Sequence, residues 1–352
     1  MSGGMSFPPS VQRVFFGGYG EAIHVAELDL ASGALRRARV AAAQRSPAFL
    51  ARGPGGRHLY AVQEGNSSAL HAYLVEDDGL LRPLASVPSE GAWTCHLAAA
   101  PGGGLLVATN YVGGSAIVYR LRADGTPGER VGLFSPGHAS GANPARQEAG
   151  HAHGVLWEAD ASRCLVTDLG ADRVYSYQHD KAGGTLSPAA QPWVDLPAGT
   201  GPRQAKFSTD GAQLYVIGEL ANTVSRLVRE PGGGAWRLAD TVSLLADGEG
   251  RAAQAADLAV AADGRFVYAS VRGINEVVIF AREPSQGALR RLGALPVPAN
   301  PRHLALSPDG RWLLVAAVDA DRVAVYAVDA ANGSLAPTAQ GLDLPKPSCV
   351  CF

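Results

Sequence analysis

Short apolar stretches recur along the 352-residue chain at nearly even intervals, and each is built the same way. The copies are "LARGPGGRHLYAVQEGNSSALHAYLV" from Leu50, "LAAAPGGGLLVATNYVGGSAIVYRL" from Leu97 and "VLWEADASRCLVTDLGADRVYSYQH" from Val155. They continue with "AKFSTDGAQLYVIGELANTVSRLVR" from Ala205, "LAVAADGRFVYASVRGINEVVIFAR" from Leu258 and "LALSPDGRWLLVAAVDADRVAVYAV" from Leu304. A partial copy, "RVFFGGYGEAIHVAELDLASGALRR", starts at Arg13. In each, an apolar strand meets a turn of the Pro-Asp-Gly or Gly-Gly kind. A second strand, an alternating third strand such as "VAVYAV" and an outer strand follow. Alternation at period two, with turn residues roughly every 8–12 positions, is the signature of antiparallel sheet.

Gly56, Gly103, Ser162, Gly211, Gly264 and Gly310 mark the turn, at separations of 47, 59, 49, 53 and 46 residues. The longest gap holds "FSPGHASGANPARQEAG", an insertion that ends at the pair His151 and His153. Repeats of this length with four strands each predict an all-β fold, a seven-bladed β-propeller with four-stranded antiparallel blades. Six copies are full and one is partial. The strand-like tail "PSCVCF" is expected to complete the partial copy, pairing N- and C-terminal strands and closing the ring. A pair of β-sandwiches would leave the regular spacing unexplained. One domain over 1–352 is expected, with residues 1–12 a flexible leader.

Composition narrows the function. A hydrophobic fraction of 47% supports a large core, and 43 glycines and 23 prolines suit many tight turns. The net charge of -2, without a basic stretch, speaks against nucleic acid as a partner. No apolar run is long enough to span a membrane. The N-terminus lacks the basic and apolar regions of a signal peptide. The four cysteines show neither CxxC pairing nor zinc spacing and read as reduced thiols, so a cytoplasmic location is expected.

Candidate chemistry lies where polar residues interrupt the repeat near the inner strands. Ahead of the first strands stand Cys95-His96, His151 to His153, Pro202-Arg203-Gln204, Gln254 to Asp257 and Pro301-Arg302-His303. After the second strands stand Gln63-Glu64, Asn110-Tyr111, Asp168, Gly218-Glu219, Arg272-Gly273 and Asp319. His151 and His153 are two apart, so on a regular strand they face one way. They suit acid/base work, hydrogen bonding or, as an alternative, a zinc pair, although no third ligand is evident. Arg203 and Arg272 are costly inside a channel unless they meet anions, and they suit a carboxylate or phosphate. Glu219 ends an apolar strand and reads as a proton acceptor, an arginine counterion, or both. His151, Asn110, Tyr111, Asp168, Gln254 and His303 are the expected substrate-binding residues.

The ordered set "GHAHGV", "TDLGADRVYSY", "GPRQAKFSTDG", "GELANTV", "ASVRG" and "PRHLALSPDG" resembles the seven-bladed propeller lactonase family. That family includes propeller-type 6-phosphogluconolactonases and carboxy-muconate cycloisomerases, and the resemblance runs from about Val14 to Phe352. It implies a His, two Arg and a Glu at the active site, carried by motif onto His153, Arg203, Glu219 and Arg272. Gln204, Gly218 and Val271 depart from the family's usual residues and put the substrate in question. The function implied is hydrolysis of a sugar-acid lactone, 6-phosphogluconolactone first. Glu219 or His153 would be the base and the arginines would hold oxyanion and substrate anion. The alternatives are a non-phosphorylated aldonic or aldaric lactone, a muconate-type lactonising cycloisomerase, and a non-enzymatic binding scaffold. No metal and no organic cofactor are expected. The partner expected is a small lactone, and the chain is expected to act as a monomer or weak homodimer.

Overall fold

The computed structural model describes residues 10–230 and 234–352. Among them, twenty-eight strands form seven four-stranded antiparallel sheets, the blades of a propeller. Blade 1 runs outward from the axis as Pro347–Cys351, Val11–Gly18, Ala22–Asp29 and Leu35–Ala43. The chain's end therefore supplies the inner strand of its first blade, as expected from "PSCVCF". Blades 2 to 7 open on the inner strands Leu50–Arg52, Thr94–Ala99, Ala152–Trp157, Pro202–Phe207, Gln254–Val260 and Pro301–Leu306. Each inner strand packs on the next around the axis, with Pro347–Cys351 between those of blades 7 and 2.

The core is divided into seven apolar clusters, one between each pair of neighbouring blades. Period two explains why. Successive residues of a second strand point to opposite faces of the blade, and both faces are covered. Leu59 joins the cluster with blade 1 and Tyr60 that with blade 3. Leu313 packs toward blade 6 and Leu314 toward blade 1. Second strands such as Leu105–Asn110 and Trp312–Ala317 are buried at every position, whereas the outer strand Leu289–Pro296 alternates half-buried and exposed.

Two expectations shift. Residues 1–9 of the expected leader lie outside the described residues, but Val11 and Gln12 already pair with Asp29 and Leu28. The blade 4 turn residue matching Gly211 is Ala161, at φ 55°, and not Ser162. Asp160 holds that turn by accepting the Ser162 N–H at 2.9 Å, as Asp210 does from Ala212 at 3.0 Å.

Closure by Pro347–Cys351 yields a prediction. A chain ending at Lys346 exposes the apolar faces of blades 7, 1 and 2. Its thermal unfolding midpoint is expected to drop by more than 10 °C, or the protein to aggregate; an unchanged midpoint would contradict this role of the tail.

Candidate active site

The inner strands start at one mouth of the ring, and most carry one residue too many. Their pairing with the second strand jumps from Thr94 to His96, from Ala152 to Gly154, from Pro202 to Gln204, from Pro301 to His303 and from Pro347 to Cys349. The skipped residues are Cys95, His153, Arg203, Arg302 and Ser348. A β-bulge of this kind breaks the alternation of side chains and re-aims the extra one. All five line a narrow space on the axis.

A second set stands one residue past the end of a second strand: Tyr19, Glu64, Tyr111 and Glu219, from blades 1, 2, 3 and 5. Arg272 ends the matching strand of blade 6. Gly273 follows it at φ +83°, where a Cβ would come within 2.2 Å of the Ala252 carbonyl oxygen, so the close turn there needs glycine. Glu64, Tyr111, Glu219 and Arg272 surround a cavity of about 310 Å³, which Trp93, Arg146, Gln254 and Arg302 also line, while Tyr19 faces the narrow space. Below it the space narrows to about 20 Å³ between Tyr19, Glu64, Cys95, His153, Arg203 and Arg302. A larger cavity of about 550 Å³ sits at the other mouth, among the turns of blades 4 and 5. Its buried Glu158 is already paired with Arg229 at 3.0 Å, and none of the residues around the axial cavity reaches it.

Glu219 is the electrostatic hub. Arg146 Nη2 donates to its Oε1 at 2.8 Å and to the Tyr111 hydroxyl at 3.0 Å. Arg272 Nη2 lies 2.8 Å and Arg203 Nε 3.1 Å from its Oε2. Burial pushes the carboxyl up, but Arg272, Arg203 and Arg146 outweigh it and hold Glu219 at about 2. Burial pulls Arg272 down to about 10, which leaves it cationic. It also donates to the backbone carbonyls of Gln254 and Ala255, while Arg203 donates to that of Ala256. Burial, with Arg203 and Arg302 nearby, holds His153 well below its ordinary value, so its imidazole is neutral. Cys95 Sγ is 3.7 Å from His153 Nδ1, but burial and Glu64 push the thiol up to about 12, so it stays protonated.

The cavity thus gathers His153, Glu219, Arg272, Tyr111 and, at its rim, Gln254. Arg203 reaches the narrow space beneath and touches Glu219 from below. Four expected residues fall elsewhere. His151 precedes the bulge, so it does not share a face with His153. It stacks on Tyr111 with ring centroids 4.6 Å apart, its Nδ1 2.9 Å from the Tyr111 carbonyl oxygen, and His153 meets the same ring edge-on. The histidine pair therefore brackets Tyr111. Asn110 and Asp168 sit one residue short of the cavity position, and one residue along a strand reverses the face. Asn110 is buried against Ser89, Thr94 and Ser115. Asp168 accepts backbone N–H groups from His151, Gly170 and Ala171. His303 follows its bulge and ties blades together by accepting the Val350 N–H at 3.3 Å; it reaches the narrow space only. Among the described residues, no three of His, Cys, Asp and Glu gather as a metal-ligand set.

Arg146, Glu64, Arg302, Tyr19 and Trp93 were not singled out as site residues. Glu64 and Arg302 stand at flagged repeat positions, Arg302 beside the chosen His303. Arg146 had one signal only, as the arginine of the insertion that ends at the histidine pair.

Fold and site define a class: a propeller whose axial mouth holds a cationic cavity able to receive a small anion. The family profile of seven-bladed β-propeller lactonases matches residues 13–352. The chain belongs to that lactonase family and is an enzyme of its kind, a carboxylic ester hydrolase. It is 26% identical over 338 residues to a 6-phosphogluconolactonase of Bacillus subtilis, covering 95% of each chain. A periplasmic gluconolactonase of Pseudomonas aeruginosa superposes with a TM-score of 0.91 at 31% identity, over 97% of this chain and 98% of that one. A putative 6-phosphogluconolactonase of Bacteroides uniformis superposes at 0.90 with 29% identity, over 97% and 99%. Among the described residues, no helix is long and apolar enough to cross a membrane.

Two predictions come from these contacts. Glu219 sits below its ordinary value of 4.5, so its stabilisation is present above that pH and lost as pH falls toward 2. Urea midpoints of wild type and Glu219→Gln should differ most at pH 7 and converge below pH 4; a constant gap would contradict the ion-pair cluster. Because the Cys95 thiol stays protonated, Cys95→Ser should keep its turnover within about threefold of wild type. A loss of about 100-fold or more would instead mark a thiol nucleophile.

Proposed function

We propose that the chain hydrolyses the lactone of a sugar acid, with 6-phosphogluconolactone as substrate and 6-phosphogluconate as product. One observation carries this reading: among the described residues, four guanidinium groups, Arg146, Arg203, Arg272 and Arg302, meet two carboxylates, Glu64 and Glu219, around the cavity and the narrow space beneath it. The surplus positive charge suits a phosphate monoester, which carries about -1.5 to -2 at neutral pH. A volume of about 310 Å³ suits a ligand at the small end of the usual range. The names of the Bacillus and Bacteroides relatives point the same way.

Ring opening follows ester chemistry. Water adds to the lactone carbonyl, the carbonyl oxygen becomes an oxyanion, and the ring C–O bond breaks. Arg272 and Arg302 face the cavity and stabilise the oxyanion and the bound anion. Glu219 does not compete as base, because three arginines hold its charge; it fixes those arginines in place. Neutral His153 offers a hydrogen bond to substrate or leaving oxygen. Neither a metal nor an organic cofactor has a step in this scheme. One copy of the chain contains the whole cavity, which is compatible with a monomer or weak homodimer. The four free thiols, three of them buried, are compatible with a cytoplasmic location.

A second reading has its own support. The Pseudomonas neighbour at 31% identity is described as a gluconolactonase, so an unphosphorylated lactone is the competing substrate.

Parallel assays on 6-phosphogluconolactone and glucono-1,5-lactone, corrected for spontaneous opening, test both. The expected result is a higher kcat/KM on the phosphorylated lactone, and a loss of at least about 100-fold for Arg272→Ala, assayed well below its lowered melting temperature, where it is still folded. A preference for the unphosphorylated lactone selects the second reading, and no activity on either removes the first.

A further inference from the structure

The mechanism leaves one requirement unmet, a group to take the proton from the attacking water. Glu219 is locked among three arginines, and His153 is neutral but lies beside cationic neighbours that oppose its protonation. We propose that Glu64 is the general base of this chain, acting at the neck where the main cavity narrows toward the axis. The proposal rests on the lactonase reading above.

Three observations place it there. Glu64 in blade 2 holds the repeat position that Glu219 holds in blade 5, one residue past the second strand. Blades 3 and 4 lie between them on one side of the ring and blades 6, 7 and 1 on the other, so the two glutamates approach the axis from nearly opposite sides. Glu64 lines both the main cavity and the narrow space beneath it. That space, about 20 Å³, is the size that accommodates one water molecule. Finally, Glu64 forms no ion pair within 4 Å among the described residues, whereas Glu219 forms three.

The surroundings suit the role. Tyr19 of blade 1, Cys95 of blade 3, His153 of blade 4, Arg203 of blade 5 and Arg302 of blade 7 share the narrow space with Glu64. Burial pushes its carboxyl up, and Arg302, Arg203 and the Tyr19 phenol pull the other way without cancelling the rise. A base nearer neutrality removes a proton more effectively than one held at about 2. Arg302, whose guanidinium is over the Tyr19 ring at 5.3 Å, faces the same space.

The step balances. The water oxygen bonds to the lactone carbonyl carbon while one water proton passes to a Glu64 oxygen. The tetrahedral oxyanion then collapses, the bond from carbonyl carbon to ring oxygen breaks, and the ring oxygen leaves with that proton. Glu64 returns to carboxylate, and lactone plus water has become the hydroxy acid.

The test compares wild type, Glu64→Gln, Glu64→Asp and Glu219→Gln on both lactones across pH 4 to 8, with melting temperatures as the fold control. Expected for Glu64→Gln is a kcat lower by about 10²–10⁴-fold with KM within about threefold. The acidic limb of the wild-type profile should vanish from its residual rate. Glu64→Asp should keep that limb at reduced rate, and Glu219→Gln should keep it while raising KM. If wild type opens lactone and Glu64→Gln retains its rate and acidic limb, Glu64 is not the base and the lactonase reading stands. A wild type inactive on both lactones overturns that reading and this assignment with it.

Discussion

A four-stranded blade has two apolar faces, and only a neighbour on each side can cover both. Everything else in this molecule depends on that constraint. The seven apolar clusters lie between blades and not within them, so no blade owns a core. An open row would leave two faces and two edges bare. The C-terminal strand removes both by pairing with Val11–Gly18, and Cys349 and Cys351 serve there as buried packing groups. Polar atoms continue the closure near the axis. His303 accepts the Val350 N–H, Asp257 accepts that of Leu304, and Ser348 donates to the Ala48 carbonyl, each across a blade boundary.

Closure brings every inner strand to one mouth, and the bulges decide what that mouth contains. One unpaired residue per strand aims Cys95, His153, Arg203 and Arg302 inward, where regular alternation would have aimed other residues. Gathering four arginines this closely is unfavourable unless their charge is answered. Glu219 answers three of them, and the positive charge left over is what the cavity offers to an anionic ligand. The protein thus uses its own carboxylate to hold the arginines ready, at the cost of removing that carboxylate from proton transfer.

The ring, the number of blades and the closing strand were legible in the sequence because they follow from period-two alternation and from a repeat near fifty residues. Those are local features, and burial on two faces demands them. That His153, Arg203, Glu219 and Arg272 gather at the axis was legible too, since polar groups at those positions break an apolar repeat. Legibility failed one residue away. Asn110 was preferred along with Tyr111, Asp168 was chosen where Leu169 holds the equivalent position, and His303 was chosen over Arg302. In each case the neighbouring position carried the opposite facing: for Asn110 and Asp168 the strand ends one residue before the cavity position, and for His303 alternation could not be carried through a bulge that has no sequence signature of its own.

The chain by itself therefore determined the architecture and the chemical character of the mouth. Strand periodicity, turn residues and repeat length are written in neighbouring residues and act over short range. Tertiary structure alone decided which side chains face the axis, how their charges divide and which carboxylate is left unpaired. Glu64 and Glu219 occupy the same place in two repeats and look alike in sequence. Three arginines, one of them delivered by the insertion before blade 4, form ion pairs with Glu219 and not with Glu64. Residues far apart in the chain set that difference, because electrostatic energy depends on distance in space after the ring has closed.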